Sequence, residues 1–449
     1  MPLWLRRIIY YAFVALFLLV APILALYSMG YRYHPGKQRI EATGLIVVDG
    51  IPSDALVRID GVVRARNLPA HIGGLGANDY TVRIEREGFH SIEQRVAVTN
   101  GRTTFLQDVL LWRAATPALL QPGESTTLPT SADQHWASFL RTTASFTELW
   151  ILDLRTLATH IVLRTPRVVA PEPSPPPIAA TWSPTNAILL VTTPSAAFLV
   201  NPTDPQRLVA LTASLPELPT AIQWELGDTP TIVAISKGVL YRIHRTTGRV
   251  TALPVPPPSS LPFGATRKAI YTIHENKLLA QPLQGDAPIL VAPLPPETIV
   301  TAITGATDRT LTLQTTRPEQ RIIIDLRSGT VTRQPHLASR PRPRGTGELR
   351  WTSPFELWAI RETPASATLL ARREVPIIDA VWHPTSPHAV LATAHDIIAT
   401  RMGDPTQPMA TLLAEFDLIR GIAMQTDATA LIIAGRRGTS DGVWVLPLQ

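Results

Sequence analysis

Three places in this sequence carry residue types at spacings on which chemistry could be built. In Arg340-Pro341-Arg342-Pro343-Arg344, with Arg333 and Arg350 nearby, proline keeps the chain extended and guanidinium groups recur at every second residue. Arg340, Arg342 and Arg344 are therefore candidates for gripping a polyanion, against the plainer reading of a solvated loop. Aromatic residues do not interleave them, so nucleic acid is not the expected partner. Gly438-Thr439-Ser440-Asp441-Gly442 is a literal G-x-S-x-G. A nucleophile elbow needs a strand before it, a helix after it, and an acid and a histidine further on. Only Val443 to Gln449 follow, and they read as a strand, so a hairpin loop is expected. His383, His388 and His395 fall close together but lack H-E-x-x-H spacing on one rigid element, so a metal site is not expected. Asp60, before Gly61, reads as a hairpin corner and not as a cation ligand.

Other chemistry is closed by omission. The chain has no cysteine, which excludes disulfides, thiol catalysis and Cys-ligated zinc. No glycine-rich phosphate loop and no D-x-D-x-D-G calcium loop is present. No catalytic residue, metal or cofactor is therefore expected, and the chain reads as a non-enzyme.

The elements that must carry these residues begin with a membrane signal. Arg6-Arg7 precedes an unbroken apolar run, Ile8 to Met29, long enough at helical rise to cross a hydrocarbon core of about 30 Å. Tyr10, Tyr11, Tyr27, Tyr31 and Tyr33 flank it at headgroup level, and no A-x-A-like cleavage site closes it. Residues 1–33 are expected to be a single-pass membrane anchor and residues 34–42 a linker. Basic residues balance on the two sides of the run. The short leader favours a signal-anchor with the C-terminal body outside the cytoplasm.

Beyond the linker every pattern is β. Hydrophobic residues make up 45 % of the chain, enough for a packed core, and 43 prolines punctuate short apolar runs. Between residues 43 and 112, Val57 and Ile59 alternate with Arg58 and Asp60. Tyr80, Val82 and Ile84 alternate with Thr81, Arg83 and Glu85, and Val96 and Val98 with Arg95 and Thr99, as in strands with one buried face. Asp60-Gly61 and Asn100-Gly101 supply tight turns. Arg58, Arg83, Glu85, Arg86 and Glu87 then fall on a wet sheet face. The stretch predicts a small β-sandwich of five to seven strands.

Gly44-Leu45-Ile46-Val47-Val48, Pro52-Ser53-Asp54-Ala55-Leu56-Val57-Arg58-Ile59-Asp60-Gly61, Leu68-Pro69 and the run from Asp79 to Phe89 resemble a PEGA domain. Ser53-Asp54 departs from that family's variable-residue-then-glycine, and Asn78 stands for its turn glycine, with a tolerance for the left-handed conformation. The resemblance implies a β-sandwich on an envelope protein, without assigned catalytic residues.

Residues 113–449 repeat. Trp136, Trp182, Trp224, Trp351 and Trp382 each open a passage of strand, turn, strand and hairpin; Ala265–Leu279, Ile303–Leu326 and Ile422–Leu446 keep the order without the tryptophan. Starts fall about 40 residues apart, the period of a four-stranded propeller blade, and proline clusters fall between units. The passages are similar to WD-repeat and TolB-like propellers and predict seven or eight blades; a pair of β-sandwiches is the rival topology. The whole reads as a non-enzymatic platform in the cell membrane, with the membrane and an envelope protein or cell-wall polymer as partners. Anchor, PEGA-like module and propeller in this order are similar to bacterial surface proteins. A glycan hydrolase or lyase, assembling carboxylates from distant blades, is the alternative.

Overall fold

The computed structural model describes residues 3–28, 31–34, 39–167, 178–227, 231–245, 248–258, 262–317, 319–334, 339–341, 347–362, 365–402 and 410–449. The chain divides into two compact units, Met1–Ala115 and Thr116–Leu448.

The first unit opens with a helix, Leu3–Ser28, containing Pro22. Its Ile8–Ala25 stretch has a mean hydropathy of 2.5 and none of it is buried. Seven strands follow between Gly44 and Leu110, in two sheets. Three strands, Ala70–Leu75, Gly44–Ile51 and Thr103–Leu110, form one; Val62–Ala65, Leu56–Ile59, Asn78–Glu85 and Ile92–Val98 form the other, in that order. The alternating residues do what their period requires. Val57, Ile59, Val82, Ile84, Val96 and Val98 turn inward onto Ile46, Val48 and Leu106. Asp60 and Gly61 both take positive φ, 47° and 80°, which closes the hairpin, and the Asp60 carboxylate accepts the Thr81 backbone N–H at 2.9 Å. One expectation fails here: Asn78 is the first residue of a strand and takes no positive φ, and the positive φ just before it, 77° at Gly74, belongs to a bulge in the preceding strand. Glycine has no Cβ to clash there, so it takes the conformation at less cost than asparagine.

The second unit is a β-propeller. Among the described residues it comprises eight four-stranded antiparallel sheets, numbered here as blades 1 to 8 in chain order. Blades 1 to 7 are continuous, at 124–166, 179–210, 221–252, 263–293, 299–334, 339–372 and 379–415. Blade 8 takes Leu418–Met424, Ala430–Arg437 and Ser440–Pro447 from the end of the chain and its outer strand, Ala118–Pro122, from the start of the unit.

Neighbouring blades share their cores. Trp136, Leu149 and Ile151 of blade 1 pack with Leu189, Val191 and Val200 of blade 2. Leu190 and Leu199 pack with Trp224 and Ile232 of blade 3, Val233 and Leu240 with Phe263 and Ile270 of blade 4, and Tyr271 and Leu278 with Leu311 and Ile322 of blade 5. Blades 6 and 7 join through Trp351, Leu357, Trp382 and Leu391. Blades 8 and 1 meet through Ala423, Ile432, Phe139 and Leu152, which closes the ring. Polar contacts also cross two further junctions. Arg321 of blade 5 faces Glu348 and Arg350 of blade 6, and the Ile422 N–H of blade 8 donates to the buried Asp379 carboxylate of blade 7 at 2.9 Å.

The tryptophans mark the units without holding one register. Trp182, Trp224 and Trp382 end first strands, whereas Trp136 and Trp351 lie in second strands. Their common role is to fill a space between blades. Trp182 donates its indole N–H to Pro129 O of blade 1, Trp224 to Thr181 O of blade 2, and Trp351 to Ile377 O at the edge of blade 7, at 3.0–3.1 Å. A large ring with one donor meets that need from either strand.

Candidate functional site

The G-x-S-x-G segment forms the hairpin expected of it, and its glycines have a steric role. Gly438-Thr439 is a two-residue hairpin turn, with Gly438 at φ 61° and Arg437 facing Ser440. Asp441 is held by Arg420 in a two-pronged pair, both contacts 2.7 Å. Gly442 faces Gly435 across the ladder, and both flanking strands bulge onto this pair. A Cβ at Gly442 would lie 2.2 Å from Gln121 O, and one at Gly435 2.3 Å from Leu418 O. The glycine serves close approach of backbones.

Among the described residues no group of three metal-ligating side chains gathers. His383 and His388 do meet, edge to face at 6.4 Å, both buried in blade 7. His383 Nδ1 accepts the Ser386 backbone N–H at 3.1 Å, and Ser386 Oγ lies 3.0 Å from His388 Nδ1. They pin the turn between the first two strands. Burial, with His383 and Arg401 nearby, depresses the His388 pKa to about 3.

Among the described residues, the buried carboxylates are engaged with fixed partners. Glu148 of blade 1 binds Arg141 Nε at 2.8 Å, Arg164 Nη2 at 2.7 Å and the Trp150 indole at 2.9 Å. Burial alone would raise its pKa; these donors hold it below the usual carboxylate range. Glu356 repeats the arrangement in blade 6, with Arg372 sixteen residues on and Trp358 two residues on. Glu225 is tied to Arg242 and Thr231, and Asp153 receives the backbone N–H and the guanidinium of Arg155. Glu148 and Asp153 sit five residues apart on one strand, a rise of roughly 16 Å, beyond the reach of paired glycosidase carboxylates.

On the first unit, Arg58, Arg83, Glu85 and Glu93 lie on one sheet face, as the alternation requires. They are mutually paired: Arg58–Glu85 at 2.6 Å and Arg83–Glu85 at 2.9 Å, with Arg86–Asp54 at 2.8 Å beside them. Arg86 also lies over the Phe89 ring, 4.7 Å from its centre. Arg340 belongs to the first strand of blade 6, Ser339–Pro341, opposite Leu349. Arg342 and Arg344 lie outside the described residues.

A cationic cleft of about 640 Å³ spans blades 3, 4 and 5, and the sequence reading missed it. Two matching turns wall it: Thr266-Arg267-Lys268 between the first strands of blade 4, and Thr307-Asp308-Arg309 at the same place in blade 5. Each threonine hydroxyl accepts the backbone N–H groups that follow it. Thr266 Oγ1 takes Lys268 N at 3.3 Å and Ala269 N at 3.2 Å; Thr307 Oγ1 takes Arg309 N at 3.2 Å and Thr310 N at 2.9 Å. Arg242 braces the first turn through Thr266 O at 3.1 Å, and Asp325 holds Arg309 Nε at 3.0 Å. Lys268 reaches across to Asp308 at 3.0 Å, and its ammonium lowers the Asp308 pKa. Leu226, Tyr271, Ala306 and Leu326 supply apolar wall. The signal was in the repeat: aligned blade by blade, the two threonine turns superimpose.

No match is found among curated proteins. Solved propellers resemble the chain only distantly. The C-terminal WD40 domain of Sif2 gives 11 % identity and a TM-score of 0.45, over 75 % of this chain and 99 % of that one. Saccharomyces cerevisiae Sqt1 gives 7 % and 0.44 over the same shares, and the Dos1 propeller 13 % and 0.41 over 75 % and 96 %. Residues 43–111 match the PEGA domain family.

Proposed function

We propose that this protein is a non-enzymatic, membrane-anchored platform whose propeller holds an envelope protein or wall polymer, with the body outside the cytoplasm. The observation that carries this reading is how the buried carboxylates are used. Glu148, Asp153, Glu225 and Asp379 are each tied to an arginine, a side-chain donor or a backbone N–H, so they serve blade packing. A hydrolase or lyase needs at least one carboxyl group facing substrate with a pKa tuned for proton transfer. The ring instead mounts its connecting turns, among the described residues, on packed four-stranded sheets, which suits recognition. The unburied apolar helix Leu3–Ser28 supports anchorage, and the PEGA match at 43–111 supports an envelope setting.

The experiment is crosslinking in cells followed by recovery of the full chain and of a chain lacking residues 116–448. A partner recovered only with the propeller is the expected result; the same partners without it would sink the reading. Protease added to intact spheroplasts should digest the propeller, whereas full protection would reverse the orientation.

A further inference from the structure

The cleft across blades 3 to 5 has properties that select among ligands. First, its charges are unequal. Arg267, Lys268 and Arg309 line it against the single carboxylate of Asp308. Lys268 and Arg309 have acidic neighbours, but exposed Arg267 has no ion-pair partner among the described residues. Second, its walls are fixed before any ligand arrives. The Arg242 brace and the backbone bond from Leu226 N to Ala265 O, 2.7 Å, tie blade 3 to blade 4; the bond from Leu326 N to Arg309 O, 2.7 Å, fixes the turn of blade 5, which packs on blade 4 through Tyr271, Leu278, Leu311 and Ile322. Third, Leu226, Ala306, Leu326 and the nearly buried ring of Tyr271 give it an apolar side. Its volume is in the range of sites that take a small molecule or a few residues of peptide.

We propose that this cleft binds an acidic peptide segment of a partner protein, with an aliphatic side chain against Leu226, Ala306 and Leu326 and carboxylates on Arg267 and Lys268. The proposal rests on the platform reading and assigns it a contact point. A planar guanidinium takes a carboxylate through two parallel hydrogen bonds. The Lys268–Asp308 pair is the internal competitor: both side chains are exposed, so the pair is weak and a ligand carboxylate can replace Asp308. An aliphatic wall favours peptide over a uronic-acid glycan, whose rim of hydroxyls brings less apolar surface to it than a leucine side chain does.

The test uses the full chain in nonionic detergent and a fluorescent pentapeptide alternating aspartate with leucine, read by anisotropy at low salt. Replacing Arg267 and Lys268 together by glutamine should weaken binding about tenfold. Asp308→Asn should tighten it about threefold, a gain that misfolding cannot produce. Exchanging the leucines of the peptide for serine should weaken it, and raising salt should weaken it further. Unchanged binding in the double variant, no gain with Asp308→Asn, or equal binding of the serine peptide or of polygalacturonate would each overturn the proposal. Partner recovery from crosslinked cells separates the two readings. If the double variant still captures a propeller-dependent partner, this inference fails and the platform stands.

Discussion

At the scale of single residues, the polar groups inside the propeller fasten it together. His388 is the sharpest case, because burial disfavours its charged form. Its native pKa of about 3 lies below the 6.5 of an unfolded chain, so the unfolded state binds the extra proton at any pH between them. The stability is fully present above about pH 6.5 and declines as pH falls toward 3. The loss should reach about 2 kcal/mol by pH 5. Thermal melts between pH 7.5 and 4.5 check this, and His388→Asn should flatten the decline; an equal acid slope in both proteins would show that His388 is not its source. Glu148 and Glu356 show the same economy of means, one Glu-x-Trp arrangement with an arginine on the next strand serving two blades. The residues of the cleft were each visible in the sequence, but as two unremarked turns. Lys268 and Asp308 are forty positions apart, one blade period, and the repeat alone brings them to 3.0 Å.

At the scale of elements, alternation and turn chemistry were legible and register was not. Val57, Ile59, Val82 and Ile84 announced a buried face and took it, since a period of two leaves no other choice once one side is covered. The tryptophans promised a common register and kept only a common purpose. Packing between blades asks for volume and one donor, and either of two adjacent strands can present them. Blade 8 gives the clearest test of an element. Gly435 and Gly442 allow bulged neighbours to approach where any side chain would strike a carbonyl. Gly442→Ala should destabilise the protein by about 2 kcal/mol through overpacking, while Gly438→Ala, at an open turn, should act only through its positive φ. Urea unfolding compares the two; a harmless Gly442→Ala would mean that strand Ala118–Pro122 is not held as described.

For the molecule as a whole, closure is the decisive contact. Ala118–Pro122 pairs with Ser440–Pro447, and the cluster of Phe139, Leu152, Ile432 and Val443 joins the last blade to the first. Deleting residues 118–122 should leave blade 8 with an open edge and lower the melting temperature by about 5–10 °C. Hydrogen exchange should rise in 430–447 and also in blade 1; faster exchange confined to blade 8 would deny that closure couples them. The sequence by itself determined the apolar helix, the alternating sandwich and the count of repeating passages, because these depend on local period and composition. Only the tertiary structure decided that the repeats close into a ring, that the G-x-S-x-G is a steric accommodation, and that cations of successive blades share a cleft. Those outcomes depend on contacts between residues tens to hundreds of positions apart, and hydrophobic period specifies which face is buried without specifying against what.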